Sequence, residues 1–353
     1  MDSLLRVHYD AMARMHAGVT FDDRRAFSTA SVRHLNNFVK SCMIDAACRV
    51  LARGGVLRVA DIACGRGQDQ SKWAYAARDA GVALTAYFGL DLAPGDAEAA
   101  HVMARKYLSA GEVHIQTGDM GKDWWQAAAP VTVVSCQLAM HYIFDAEAHV
   151  RHFFTQAAVL LSPGGLLLVS FADGRSVVRR ARDTATGRYE RPYYTLDVPA
   201  ASSALRLHSP FGNQYTFTMP GSVEGIPEYL CHEGMLTHIA AAAGFKAGTS
   251  AYFDELAVQL DPVPYYAVLA EKMGGNWITD TDALDAANLY RFIVFAKESD
   301  TLAAFQAALL RPPGVLPSRR PRRQRVSQYG PPGTPLPPLD ALDSPDKLDA
   351  QST

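Results

Sequence analysis

Cysteine is scarce in this sequence: five residues of 353, at positions 42, 48, 64, 136 and 231, with no C-x-x-C pair among them. That excludes the ligand spacing of a zinc site and the framework of a disulfide-stapled domain. The five read as free thiols in a reducing compartment. No run of about 18 apolar residues occurs, so no segment reads as a transmembrane span. The opening "MDSLLRVHYD" lacks the basic and apolar regions of a signal peptide. Neither sign of charge dominates: Lys and Arg number 34, Asp and Glu 36, and the net charge is −2. Bulk coating of a nucleic acid is thereby excluded, and any such contact must be local. No internal repeat is present. What remains is ordinary for a soluble globular chain, 48% hydrophobic and 20% charged. The length suits one large domain or two small ones.

From about residue 56 to 171 strand-like and helix-like segments alternate. "VLRVADI" (56–62), "LTAYFGL" (84–90), "EVHIQ" (112–116), "VTVVSC" (131–136) and "LLLVSF" (166–171) read as strands. Residues 68–80, 95–107 and 145–161 read as helices, the last stopped by "SPGG". Repeated βα units with apolar strands predict a mostly parallel sheet covered on both faces. Its ligands belong beyond the carboxyl ends of the strands. Residues 173–227 interrupt the rhythm with strand-like "QYTFTM". Residues 228–243 suit a helix, and 248–260 and 289–296 suit two further strands.

The loop "VADIACGRGQDQSKW" (59–73) joins the first strand to a helix through Gly65-x-Gly67. Two glycines allow a tight turn close to a ligand. The third glycine of the dinucleotide fingerprint is missing, and Asp69 near the helix start repels phosphate. Asp61 ends the first strand, Asp91 the second, and Asp119 follows the third. Asp91 suits two ribose hydroxyls and Asp119 an adenine amine. S-Adenosylmethionine carries a ribose, an adenine, an ammonium and a sulfonium but no phosphate. Each acid alone reads equally as a cap of a strand end or helix start; three at successive strand ends favour the ligand. "CQLAMHYIF" (136–144) sets a Gln, a His and a Tyr where a buried strand ends. By itself that is either a capped strand end or the lip of a site.

Several segments, in this order, resemble the messenger-RNA cap guanine-N7 methyltransferases, from about residue 7 to 297. "HLNNFVKSCMI" is similar to that family's Asn-Asn-x-x-Lys-Ser helix. "DIACGRGQD" is similar to its Gly-rich loop, with Ala63 and Gln68 in place of two usual glycines. "CQLAMHY", "LSPGG", "FGNQYTF", "IPEYL" and "LYRFIVFAKE" resemble later motifs, while "SFADG" lacks a proline often found near Ala172. The resemblance implies a Rossmann-like class I methyltransferase with a mostly parallel seven-stranded α/β sheet and a lid-like, cap-binding insertion (about 173–227). It implies that Lys40, Asp61, Gly65, Asp91, Asp119 and Gln137 hold S-adenosylmethionine, Lys40 and Asp61 addressing the methionine carboxylate and ammonium. It places Tyr9, His141, Tyr142, Phe217, Glu228 and Tyr290 around the cap guanine. N7 of guanine has a free lone pair, so no acid–base residue is expected; His141, Tyr142 and Glu228 position the base. Glu228 would accept from N1 and N2, and His141 would donate to O6.

The implied substrate is the capped 5′ end of messenger RNA, with other capping enzymes or an activating subunit as further partners and no membrane. The expected location is nuclear for a cellular protein and cytoplasmic for a viral one. The alternatives are a small-molecule N- or O-methyltransferase and a cap-binding subunit without catalysis. The catalytic domain is expected to span 1–311. Ten of the twenty prolines fall in the last 42 residues, with one aromatic, Tyr329, so 312–353 reads as a disordered tail. Its basic patch "RRPRRQR" (319–325) suits a localisation signal, an RNA-contacting arm or a solvated linker. An arginine cluster (175, 179, 180, 182, 188, 191) suits either RNA or solvent.

Overall fold

The strand Val56–Ile62 (β1) sends Leu57 and Val59 into one apolar cluster and Ala60 and Ile62 into another. A strand that is apolar on both faces must be covered on both. In β5 (Leu161–Ala172), Leu166 and Leu168 likewise oppose Leu167 and Val169. The computed structural model describes residues 6–7, 11, 29–108, 111–124, 130–182, 184–199, 209–273 and 276–312. They belong to the compact unit Met1–Leu316, and Pro317–Thr353 falls outside that unit.

The other strands of the main sheet are β2 (Ala83–Asp91), β3 (Glu112–Thr117), β4 (Val131–Cys136), β10 (Lys246–Tyr252) and β11 (Tyr290–Ala296). Their order is β10-β11-β5-β4-β1-β2-β3. The pairs among β1 to β5 are parallel, while β11 runs antiparallel to both β5 and β10. The predicted mostly parallel seven-stranded sheet is present, with helices on its two faces. On one face lie α1 (Ala30–Leu51) and α2 (Gln70–Asp79). Helix α1 buries Phe38, Val39, Cys42 and Met43 completely, and Trp73 of α2 joins them. Helix α3 (Pro94–Tyr107) starts with Pro94 at its first turn, where a missing N–H costs nothing. The opposite face carries α4 (Glu147–Leu160), which buries Phe153 and Phe154.

Beyond β5 come α5 (Gly174–Arg182) and a second, antiparallel sheet. Its strands are β6 (Arg188–Glu190), β7 (Thr195–Asp197), β8 (Gln214–Met219) and β9 (Val223–Tyr229). Tyr215, Phe217 and Met219 alternate inward from β8 into the cluster around α1. Residues 228–243 do not form one helix. Glu228 and Tyr229 complete β9, and the helix, α6, is Glu233–Ala242. Pro227 fits a strand because β9 is an edge, where a missing donor breaks no ladder. Residues 248–260 are not one strand either: β10 stops at Tyr252 and α7 (Phe253–Leu260) begins. Phe253, Leu256, Ala257 and Leu260 recur at helical spacing and are buried, and Glu255 returns a side-chain bond to the Tyr252 N–H. Helices α8 (Ala267–Lys272), α9 (Thr281–Ala287) and α10 (Ser299–Leu310) complete the described unit. No described helix is long and apolar enough to cross a membrane.

Candidate functional site

The carboxyl ends of β1, β2 and β4 open onto a cleft enclosing about 860 Å³ of empty space, solvent at its mouth included. Gly65, Asp91, Asp119, Gln137 and Tyr142 line it, so five of the residues singled out from the sequence share one wall. The turn after β1 is built by backbone geometry. Gly65 and Gly67 take φ of 51° and 75°, and Ala63 sits at 57° without being glycine. A Cβ on Gly67 would lie 2.6 Å from Gln70 Nε2 and 3.1 Å from Ala100 Cα, so the second glycine lets the loop close on α3. Asp91 ties this turn down: its Oδ2 accepts from the Gly65 N–H at 2.7 Å and its Oδ1 from the Ala93 N–H at 3.0 Å. Asp119 does the same at the next strand end, accepting from the Gly121 N–H at 2.8 Å. Both are therefore turn caps, and each carboxylate oxygen retains a second lone pair for a ligand. Gln137 hangs on a serine relay, its Oε1 accepting from Ser170 at 2.9 Å and its Nε2 lying 3.3 Å from Ser135.

Below this cleft is a buried charge cluster. The Lys40 ammonium reaches both oxygens of Asp69, at 3.0 and 2.9 Å, and Lys72 donates to Asp69 at 2.6 Å. Asp61 is almost wholly buried and accepts from the Tyr87 hydroxyl at 2.6 Å. Burial, and next the neighbouring Asp69, push the Asp61 carboxyl up to about 7. Burial acts the same way on Asp69, but Lys40 and Lys72 outweigh it and hold that carboxyl below its usual range. Lys40 and Asp61 are not among the residues lining the cleft. Asp69, Lys72 and Tyr87 were not among the site residues expected from the sequence. The i, i+3 spacing of Asp69 and Lys72 was the one readable signal.

A second cluster gathers at the end of β5. The Ala172 N–H donates to His141 Nδ1 at 3.1 Å, so the ring hydrogen sits on Nε2. That Nε2 is buried and makes no hydrogen bond. It stands 3.4 Å from Glu228 Oε1. Tyr215 donates to the other Glu228 oxygen, and the Tyr142 hydroxyl lies 3.4 Å from Oε1. Tyr290 pairs with Ala172 across the sheet and packs beside Phe253, ring centroids 6.1 Å apart. Phe217 packs on Tyr194 at 6.2 Å, inside the core of the second sheet. The structure thus brings His141, Tyr142 and Glu228 together and adds Tyr215, which period-2 alternation in "QYTFTM" puts on the same face as Phe217. Tyr9 lies outside the described residues.

The arginine cluster divides. Arg180 is buried on Asp285 at 2.7 Å, Arg188 meets Glu190 at 3.4 Å, and Arg191 bonds Tyr189 at 2.9 Å. Arg175, Arg179 and Arg182 are exposed, Arg179 donating to Asn288 Oδ1 at 2.8 Å. Among the described residues no group of His, Cys, Asp and Glu is placed to hold a metal ion. All five cysteines are free and buried. Burial raises each thiol, so none stands ready as a thiolate.

The donor set suits S-adenosylmethionine. Among the described residues the cleft is lined by Asp91, Asp96, Asp119 and Asp145 and by no lysine or arginine. Arg66 and Lys122 stand behind Asp96 and Asp119, at 3.8 and 3.0 Å, and the remaining acids favour a cationic, phosphate-free ligand.

Comparison with known proteins agrees. Residues 1–298 match the mRNA (guanine-N(7))-methyltransferase domain. The mRNA cap guanine-N(7) methyltransferase 1 of Arabidopsis thaliana is 26% identical over 304 residues, covering 80% of this chain and 79% of that one. The mRNA cap guanine-N(7) methyltransferase of Caenorhabditis elegans is 28% identical, covering 66% of this chain and 61% of its own. That of Drosophila melanogaster is 26% identical, covering 64% and 55%. Among solved structures, the CcbJ methyltransferase from Streptomyces caelestis aligns with a TM-score of 0.43 at 15% identity, covering 72% of this chain and 94% of that one. Magnesium protoporphyrin IX methyltransferase from Synechocystis, with bound SAH, gives 0.41 at 17%, covering 71% and 93%. With the family's domain matched from residue 1 to 298, the chain belongs to the mRNA (guanine-N(7))-methyltransferase family.

Proposed function

We propose that the chain methylates N7 of the guanosine capping messenger RNA, with S-adenosylmethionine as donor. One observation carries this reading: a buried N–H on His141 makes no hydrogen bond and stands 3.4 Å from a buried carboxylate, Glu228. An orphaned donor in such a place costs roughly 1–3 kcal/mol until a ligand satisfies it. Guanine presents an acceptor, O6, next to two donors, N1–H and the N2 amine. His141 Nε2–H facing O6 and Glu228 facing N1 and N2 complete both sides. Adenine presents the reverse order and would set donor on donor.

The chemistry then needs little from the side chains beyond placement. S-Adenosylmethionine, when bound, supplies an already activated methyl group. Guanine N7 carries a lone pair and no proton, so no general base is required. Orientation supplies roughly 7–11 kcal/mol of barrier reduction in well-aligned cases. Tyr142 stands between the two halves, lining the cleft while its hydroxyl reaches Glu228. The second sheet acts as a lid, because β8 and β9 deliver Tyr215 and Glu228 over the base. Phe217 and Tyr290 support this arrangement from the core, Phe217 packed on Tyr194 and Tyr290 beside Phe253.

The test is methyl transfer to GpppRNA and ApppRNA, with the methylated base identified after digestion. N7-methylguanosine from the first substrate alone is expected. Glu228→Gln keeps the shape but turns one acceptor into a donor. Its turnover on GpppRNA should fall at least about tenfold, at 1.36 kcal/mol per decade, with affinity for S-adenosylhomocysteine nearly constant. Normal turnover in that variant, or methylation at another atom, would sink the reading.

A further inference from the structure

Asp145 and His149 also line the cleft; Asp145 has so far counted only as one of its acids, and His149 has been given no role. Asp145 lies just ahead of α4, and His149 follows in its first turn. His149 Nδ1 stands 2.7 Å from Asp145 Oδ1, with the two side chains 22% and 24% exposed. A carboxylate partner keeps the ring hydrogen on Nδ1 and leaves Nε2 with a lone pair. The ring is also held from the side. A Cβ on Gly121 would come within 2.8 Å of His149 Cβ and 3.0 Å of Cγ, so the Gly121 backbone is packed against it. Gly121 is the residue whose N–H caps Asp119 Oδ1 at 2.8 Å. Asp119 Oδ2 in turn meets the Lys122 ammonium at 3.0 Å. Asp119, Gly121, His149 and Asp145 therefore make one continuous wall. One lone pair of each Asp119 oxygen already serves this chain, and the His149 imidazole nitrogen adds an oriented acceptor position to the same wall.

We propose that His149 reads the adenine of S-adenosylmethionine, Nε2 accepting from the exocyclic amine while Asp145 fixes the ring. The proposal rests on assigning the cleft to that cofactor, with Asp119 at its adenine end. Asp145 is then a positioning residue and His149 a specificity-determining one.

Calorimetric binding of S-adenosylhomocysteine and of its inosyl counterpart, whose amine is replaced by a carbonyl, tests this. The wild-type chain should prefer the adenosyl ligand. His149→Phe keeps a ring against Gly121 but loses the acceptor. It should weaken adenosyl binding about tenfold, equal to about 1.4 kcal/mol, and leave inosyl binding unchanged. His149→Gln, which restores an acceptor, should recover most of the preference. Asp145→Asn should lose part of it in the same direction. Thermal unfolding verifies that each variant is folded. Equal loss on both ligands in His149→Phe, or no loss on either, would overturn the role of His149 alone. Failure of the wild-type chain to bind either ligand would overturn the cofactor assignment with it.

Discussion

Asp61 carries a charge that depends on what stands beside it. An unfolded aspartate titrates near 4, and burial followed by repulsion from Asp69 lifts the folded one to about 7. Between those values the folded chain holds more protons than the unfolded one, so stability falls as pH rises through that window. Asp61→Asn should flatten this slope, measured by urea unfolding at pH 5 and pH 8; an unchanged slope would place its origin elsewhere. Asp69 acts in the opposite sense and in a different range. Its carboxyl is held low by Lys40 and Lys72 against the effect of burial, so its contribution is lost only as pH falls below about 4. The ammonium of a cofactor brought near Asp61 would favour the ionised form. Binding of S-adenosylhomocysteine at pH 6 should then release protons, visible as heats that vary with the buffer's ionisation enthalpy. Ala63 offers a simpler case. At φ 57° an L-residue is strained by about 1–2 kcal/mol, part of which a glycine returns as unfolded-state freedom. Ala63→Gly should therefore raise the unfolding free energy by roughly 0.5–1 kcal/mol. A loss of stability in urea titration would mean that the methyl group packs usefully in the turn.

At the scale of the element, α5 sorts its own arginines. Arg180 turns inward to Asp285, while Arg175, Arg179 and Arg182 share the solvent side at i, i+4 and i+7. Replacing those three by Gln should flatten the salt dependence of capped-RNA binding by about 2 log units per log unit of salt, at roughly 0.7 per single-strand phosphate. Affinity for a cap dinucleotide should not change, and an unaltered slope for long RNA would leave the stripe a solvated face. β1, β2, β4 and β5 were legible because each carries an apolar run of strand length, and β3 because Val113 and Ile115 alternate with polar residues. Two later segments were misread at their boundaries. Alternation up to Tyr252 hides the helical spacing of Phe253, Leu256 and Leu260, and nothing in one dimension separates Glu228 and Tyr229, which end an edge strand, from the helix that follows them. The same limit shaped the site. Asp91 and Asp119 stand out because strand ends are visible in one dimension. Tyr87 and Tyr215 do not, because each acts by pairing with a carboxylate on a neighbouring strand, Asp61 and Glu228.

On the scale of the whole molecule, the fold extends past the family match. That match ends at residue 298, yet α10 follows and buries Leu302, Phe305 and Leu309 in the cluster around α1. A chain of residues 1–311 should keep its unfolding midpoint and its methyl transfer to a cap dinucleotide. Removing α10 as well exposes those three side chains, at about 1.5–3 kcal/mol each, and should lower the midpoint sharply. Equal midpoints for the two truncations would mean that α10 is ornamental. The tail's basic patch would then be tested by comparing Michaelis constants on long RNA and on the dinucleotide. Tyr142 belongs to this scale too, since its ring lines the cleft while its hydroxyl touches Glu228. On the proposed assignment this one side chain is shared by two occupants and joins them in a thermodynamic cycle. Whatever factor a cap ligand imposes on the grip for S-adenosylhomocysteine, the spent cofactor returns in full on the cap. On that assignment the by-product of one turnover weighs on how firmly the next message is held, through two adjoining sites and with no third site or moving domain.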